Sequence, residues 1–504
     1  MTSRPARPAN WYAAAPTLIH MPDLAASLSA PDYGLARLVL ERGLGIIYLI
    51  AFVVALDQFP ALNGERGLER APAILRATSF LETPSVFHLG YSDRALRVVA
   101  CVGIGLAALI VLGVAQRAPL PVTMLVWFGL WALYQSVVNI GGSFYGFGWE
   151  TLLLEAGFLA IFLGNDEVAP PWLVILAFRW LAFRVELGAG LIKLRGDQCW
   201  RDLTCMEYHH ETQPLPNPLS WLFHALPRPL HRIETIGNFV AQLVLPWGLF
   251  LPQPLATIVA VLMLLTQGYL VVSGNYAWLN WITILVMISA VADPVVHAVL
   301  PVVPATTGLE APAGWFLAIV VALAVLVVAL SYRPVMNLVS PDQAMNASFD
   351  PFRLVNTYGA FGSVSRRRHE VIVEGTSEED PTPDTRWLEY EFRAKPGDPR
   401  RTPPQVAPYH YRLDWLMWFL PLSPGYGETW FMPFLARLLQ ADRSILRLLR
   451  RDPFRGGRPV WVRARLFEYR FTTPRERRAT GRWWDREPLG DFVPPIRLRP
   501  TDPE

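Results

Sequence analysis

RWLAFRVELGAGLIKLRGDQCWRDLTCMEYHHETQPLPNP, residues 179–218, runs from an apolar helix into a polar loop and carries charge inside the apolar part. Arg179, Glu186 and Lys193 recur every seven residues. Seven residues are close to two helical turns, so the three groups share one stripe of one helix. Ionisable side chains in a hydrophobic span are costly and face a protein interior or a water-filled cavity, which makes this stripe a candidate functional site. Among 45 basic residues only Lys193 and Lys395 are lysines. A lysine kept against such a bias is open to two readings. It is a base, because an ammonium can lose its proton near neutrality and a guanidinium cannot, or it snorkels from a helix end.

The rest of the chain extends this pattern. With 52% hydrophobic residues and 19 tryptophans in 504 residues, its apolar positions fall in long runs, the mark of a polytopic membrane protein. About nine spans are expected, at 43–57, 95–115, 119–140, 149–164, 171–192, 236–252, 255–274, 278–300 and 313–331. A net charge of +3 gives no argument for a nucleic acid partner; membrane lipids are the expected surroundings. Arg4, Arg7 and Arg37 before the first span, and Arg117 between the second and third, favour a cytoplasmic amino terminus. An odd span count then puts the loop at 193–235 and the carboxyl-terminal region outside the cytoplasm.

Three parts are expected. Residues 1–37 form an amino-terminal cytoplasmic segment, 38–335 a multi-span helical membrane domain, and 336–504 a β-rich, sandwich-like soluble domain. In the last part HEVIVEG from His369, RWLEYEFRA from Arg386, PYHYRLDW from Pro408 and VWVRARLFEYRFT from Val460 alternate as strands do, and the segment from Trp430 to Leu449 has helical spacing. The run Arg366, Arg367, Arg368 reads as a solvated face for which anionic lipid headgroups are a natural partner.

The candidate catalytic residues are Lys193, Glu186, His209 and Glu211, with His209 and Glu211 lining the Lys193 cavity as hydrogen-bond partners. Adjacent residues such as His209, His210 and Glu211 rarely point at one ion, and neither HExxH nor CxxC spacing is present, so no metal ligands are assigned. Cys199 and Cys205, in a loop on the oxidising side, read as a disulfide, as two free thiols or as metal ligands. Glu155 with Arg179 and Arg184 reads as intramembrane ion pairing that joins helices. GxSxG, P-loop and GxGxxG signatures are absent, which argues against a classical hydrolase.

Several blocks resemble the lipase maturation factor family: GWETLLLEAGFLAIFLG from Gly148, LIKLRGDQCWRDLTCMEYHHETQPLPNPLSWLFH from Leu191, SGNYAWLNWITIL from Ser273, LVNTYGAFGSVSRRRHEVIVEG from Leu354, YRLDWLMWFLPL from Tyr411 and RWWDREPLGDFVPP from Arg482. The resemblance implies a multi-span protein with a β-rich carboxyl-terminal domain that assists the folding or assembly of exported lipases, in animals within the endoplasmic reticulum. The arginine-heavy composition is that of a high-GC bacterium, where the plasma membrane takes that place. GLIKLRGDQCW, from Gly190 to Trp200, is also similar to the GxxKxxxxW helix of the vitamin K-dependent carboxylases and related HTTM-type proteins. That resemblance implies Lys193 as general base toward a lipid, quinone or polypeptide, with a quinone-like lipid as the cofactor.

Overall fold

The computed structural model describes residues 25–301 and 308–498. Arg4 and Arg7, and with them most of the expected cytoplasmic segment, lie outside the described residues. The membrane part is built from α1 (Gly34–Leu62), α2 (Asp93–Leu112), α3 (Leu120–Asn139), α4 (Gly148–Ala160), α5 (Trp172–Arg195), α6 (Met206–Thr212), α7 (Arg228–Phe239), α8 (Leu255–Ser273), α9 (Leu279–Ile288) and α10 (Gly314–Leu330). Helix α7 runs on through a π turn, Val240–Val244, into a 3-10 turn that ends at Phe250. Pro246 has no N–H for the helical ladder, so the backbone leaves α geometry just before it.

Six stretches among the described residues are long and apolar enough to cross a membrane: Pro31–Leu62, Asp93–Leu112, Leu120–Asn139, Arg228–Phe250, Leu255–Ser273 and Gly314–Val339. The chain is a multi-pass membrane protein. The other three expected spans take different forms. Helix α5 has 24 residues but carries four ionisable side chains in its buried face. Helices α4 and α9 have 13 and 10 residues, about 20 and 15 Å at 1.5 Å per residue. Both are short of the ~30 Å hydrocarbon core.

Polar contacts gather the helix ends into two rims. On one rim Leu35 N donates to Asp293, Asp166 N to the Gln116 carbonyl, and Gln253 to Tyr33 and to the Ala290 carbonyl. On the other, Asn63 donates to the Gly141 carbonyl, Trp278 to the Trp149 carbonyl, Gln213 to the Ser273 carbonyl and Arg195 to the Leu338 carbonyl.

The carboxyl-terminal region sits on the second rim. It holds β1 (Arg368–Thr376), β2 (Leu388–Glu389), β3 (Trp461–Phe471) and β4 (Trp484–Ile496), with helices α11 (Arg412–Phe419) and α12 (Phe431–Leu439) between β2 and β3. The strands form one antiparallel sheet in the order β2-β1-β3-β4, with Val371 opposite Leu466. The expected second layer of a sandwich is not found among the described residues. PYHYRLDW turns helical at Arg412 because Arg412 and Asp414, which look like the solvent face of a strand, are both buried: Arg412 pairs with Glu150 at 2.8 Å, and Asp414 accepts from the N–H groups of Ala394 and Lys395. Only Leu388–Glu389 of RWLEYEFRA pairs with β1. β4 contains Pro488, Pro494 and Pro495 and is an edge strand, where a missing N–H is tolerated.

Candidate functional site

Arg179, Arg184, Glu186 and Lys193 are all buried along α5, and each has its own partners. Arg179 faces the first rim. It donates to Tyr33 Oη at 2.8 Å and to the carbonyls of Ser289 and Leu249 at 3.1 Å each, and lies over the rings of Tyr33 and Trp172. Among the described residues the expected ion pair of Arg179 with an intramembrane carboxylate is therefore not made. Its counterparts are the last carbonyls of two helical segments, which lack intrahelical donors and carry the negative end of the helix dipole.

Arg184 and Glu155 do form a buried ion pair. Arg184 also donates to the Asn356 carbonyl at 2.6 Å, while Glu155 Oε2 accepts from Asn356 N, Asn356 Nδ2 and Tyr358 Oη at 3.0, 3.0 and 2.8 Å. The segment VNTYG is thereby locked into the helical bundle. Gly188 permits this approach, since a Cβ there would lie 2.2 Å from the Tyr358 carbonyl oxygen. A second buried pair, Glu150 with Arg412, joins α4 to α11, with Tyr134 donating to Glu150.

Lys193 sits at the second rim. Its Nζ donates to Gln242 Oε1 at 2.8 Å and Asn238 Oδ1 at 3.0 Å, and lies 5.1 Å from the centroid of the Trp200 ring. Glu186 Oε1 accepts from Gln267 Nε2 at 2.6 Å, Gln267 Oε1 accepts from Asn280, and Glu186 Oε2 is buried without a partner. The site is thus an amine and a carboxyl group, not paired with each other, set in a layer of amides, Asn238, Gln242, Gln267 and Asn280. Asn238, Gln242 and Gln267 were not singled out from the sequence and Asn280 entered only within the block SGNYAWLNWITIL; for Gln242, Gln267 and Asn280 the available signal was an amide side chain in apolar surroundings.

The HHE segment is split by the fold. His209 lies near Lys193 but bonds to Tyr276 Oη at 2.9 Å, edge-on to Phe361, and the expected hydrogen bond to the amine is not found among the described residues; burial, with His210 and Lys193 nearby, lowers its pKa to about 3. Glu211 points instead to the sheet, accepting from Phe471 N at 2.5 Å, and burial raises its carboxyl to about 7. It is not a hydrogen-bond partner of Lys193, because neighbouring residues of a helix are rotated by about 100° and point in different directions. His210 turns away from both neighbours, toward His231 and Glu234. Cys199 and Cys205 are joined by a disulfide with Cα atoms 4.8 Å apart. Arg368, expected on a solvated face, is buried and donates to the carbonyls of Glu211, Gln213 and Pro214 and to Glu370. Glu370 also holds Lys395 at 2.8 Å, so both lysines of the chain are buried.

Residues 35–298 match the lipase maturation factor transmembrane domain, and residues 354–494 match the lipase maturation factor C-terminal domain. The chain belongs to the lipase maturation factor family. It is 40% identical to lipase maturation factor 1 of Bos taurus, over 94% of this chain and 90% of that protein, and 39% identical to lipase maturation factor 1 of Homo sapiens, over 95% and 90%. Lipase maturation factor 2 of Xenopus laevis is 27% identical over 93% of this chain and 83% of that protein. No solved structure matches the chain. The two matched domains meet at the Glu150–Arg412 pair, at the bonds from Asn356 and Tyr358 to Glu155, and around the disulfide loop, where Trp200 Nε1 donates to the Phe361 carbonyl at 2.8 Å and Asp197 N to the Gly362 carbonyl.

Proposed function

We propose that this protein is an integral membrane maturation factor that assists the folding or assembly of exported lipases, working in a bacterial plasma membrane with its carboxyl-terminal region outside the cytoplasm. The observation that carries the proposal is identity of about two residues in five to a protein named lipase maturation factor 1, sustained across both domains. The topology draws support from the two rims. Chain order alternates between them from α1 through α5, then from α7 through α10, which corresponds to nine crossings with α4, α5 and α9 as the sheltered ones. The Cys199–Cys205 disulfide lies on the rim that carries the sheet, and disulfides persist on the oxidising side.

The test is deletion of the gene in its host, followed by complementation, with the activity of each exported lipase divided by its protein amount. Lower specific activity on deletion, restored by the wild-type chain, is the expected result. Unchanged specific activity across the exported lipases overturns the proposal. A second reading keeps Lys193 as a general base toward a lipid, quinone or polypeptide, with Glu186 nearby; it is favoured by an amine bonded, among the described residues, to two neutral amide oxygens. Lys193→Arg separates the two. Normal abundance with an altered lipid or quinone profile supports chemistry at the amine, and normal abundance with normal profiles and lipase activity removes it.

A further inference from the structure

His210 on α6 and His231 and Glu234 on α7 converge at the second rim, their ligand atoms all within 4.8 Å of one another. HRIE, residues 231–234, places His231 and Glu234 three apart on one helical face, and α6 packs across that face to bring in His210. Both imidazoles are buried, and the Glu234 side chain is 11% exposed.

His210 Nε2 lies 3.5 Å from Glu234 Oε1, long for a hydrogen bond but close to the ~3.4 Å between two ligands held about 2.0–2.1 Å from a tetrahedral zinc ion. His231 Nδ1 and Glu234 Oε2 are 2.7 Å apart, a hydrogen bond, and need to open by about 0.7 Å to admit an ion at the same ligand spacing. Tyr269 Oη donates to Glu234 Oε1 and lies 3.4 Å from His210 Nε2, so it borders the cluster and orients the carboxylate. Phe223 packs beside the His210 ring, with centroids 5.5 Å apart and planes 29° apart.

We propose that His210, His231 and Glu234 bind a divalent transition metal of the zinc type, His210 through Nε2, His231 through Nδ1 and Glu234 through a carboxylate oxygen. Two histidines and one glutamate make a three-ligand set that leaves a fourth tetrahedral position for water or another donor. On binding, the His231–Glu234 hydrogen bond is replaced by metal bonds, and the proton on His231 Nδ1 passes to Nε2 or to solvent. The ion ties α6 to the start of α7, beside the disulfide loop. This goes beyond the maturation reading and does not rest on it.

The experiment loads the purified full-length protein in detergent with Zn²⁺ alone, removes free metal by dialysis and measures bound metal by mass spectrometry. A parallel sample takes Co²⁺, read by visible d–d absorption. Wild type is expected to hold one equivalent and to show tetrahedral Co²⁺ bands that Zn²⁺ abolishes. His210→Ala and His231→Ala are expected to lose the metal. Tyr269→Phe, which keeps every ligand, is expected to weaken affinity about 10–100-fold. Should the alanine variants fail to fold, Glu234→Cys serves: a new thiolate-to-cobalt charge-transfer band places the ion at this residue, and its absence from folded protein overturns the proposal. The proposal is also overturned if wild type retains well under one equivalent, or if folded His210→Ala/His231→Ala protein retains it in full.

Discussion

Replacing Arg184 by methionine takes a guanidinium out of the junction between the two domains while keeping a long side chain. Glu155 then retains three neutral donors, from Asn356 N, Asn356 Nδ2 and Tyr358 Oη, but loses its counter-charge, and the Asn356 carbonyl loses a donor at 2.6 Å. Removing one partner of a buried pair costs about 3–5 kcal/mol. An orphaned carbonyl costs about 1–3 kcal/mol. The three remaining donors offset part of that sum, so the expected loss is about 4 kcal/mol. Glu155→Gln alone strands the arginine and is expected to cost a similar amount. Glu155→Gln/Arg184→Met buries no net charge at either position and is expected to cost at least about 2 kcal/mol less than the two single changes added together. Unfolding of the purified protein in mixed micelles of rising dodecyl sulfate fraction, followed by tryptophan fluorescence, measures all four corners of the cycle. A single-variant cost below about 1 kcal/mol, or strict additivity, refutes the view that this pair fastens the carboxyl-terminal region to the bundle.

Three further outcomes are expected. His410 is buried between Glu150 and Arg412, and its Nδ1 accepts from Trp149 Nε1; burial, with Arg412 alongside, lowers its pKa from 6.5 to about 3. The folded state therefore binds fewer protons than the unfolded one below pH 6.5, so stability is full above that pH and falls on acidification, by up to roughly 1.4 kcal/mol per pH unit, and His410→Asn removes that part of the slope between pH 6.5 and 5. Gly188→Ala sets a Cβ 2.2 Å from the Tyr358 carbonyl oxygen and is expected to lower the unfolding midpoint by about 1–3 kcal/mol of stability, whereas Gly237→Ala, with nothing within 4 Å, leaves it unchanged or slightly raised. Cys199→Ser/Cys205→Ser opens a link with a sequence separation of 6 and is expected to cost about 2 kcal/mol, read as the difference between oxidised wild type and the variant in the same titration.

Much of the architecture depends on short-range patterning and was therefore legible. Six apolar runs and the two long central strands follow from hydropathy and alternation over windows of ten to twenty residues, and the ordered blocks from Gly148 to Arg482 carried the family resemblance. Local pattern failed where burial reverses the usual meaning of a polar residue. Arg412, Asp414 and Arg368 look like solvent-facing positions yet are core, because Glu150, the N–H groups of Ala394 and Lys395, and the carbonyls of Glu211, Gln213 and Pro214 meet them from far along the chain.

The sequence by itself determined that Arg179, Glu186 and Lys193 share a stripe, since helical period is a property of the local backbone. Tertiary structure alone decided what each side chain meets: helix-end carbonyls for Arg179, Gln267 for Glu186, and Asn238 and Gln242 for Lys193. It also sent His209, His210 and Glu211 in three directions and brought His210 to His231 and Glu234. Periodicity places a side chain on a face, but a buried polar group is satisfied only by whatever the packing of distant helices brings within hydrogen-bond reach, and that packing is written in no single segment.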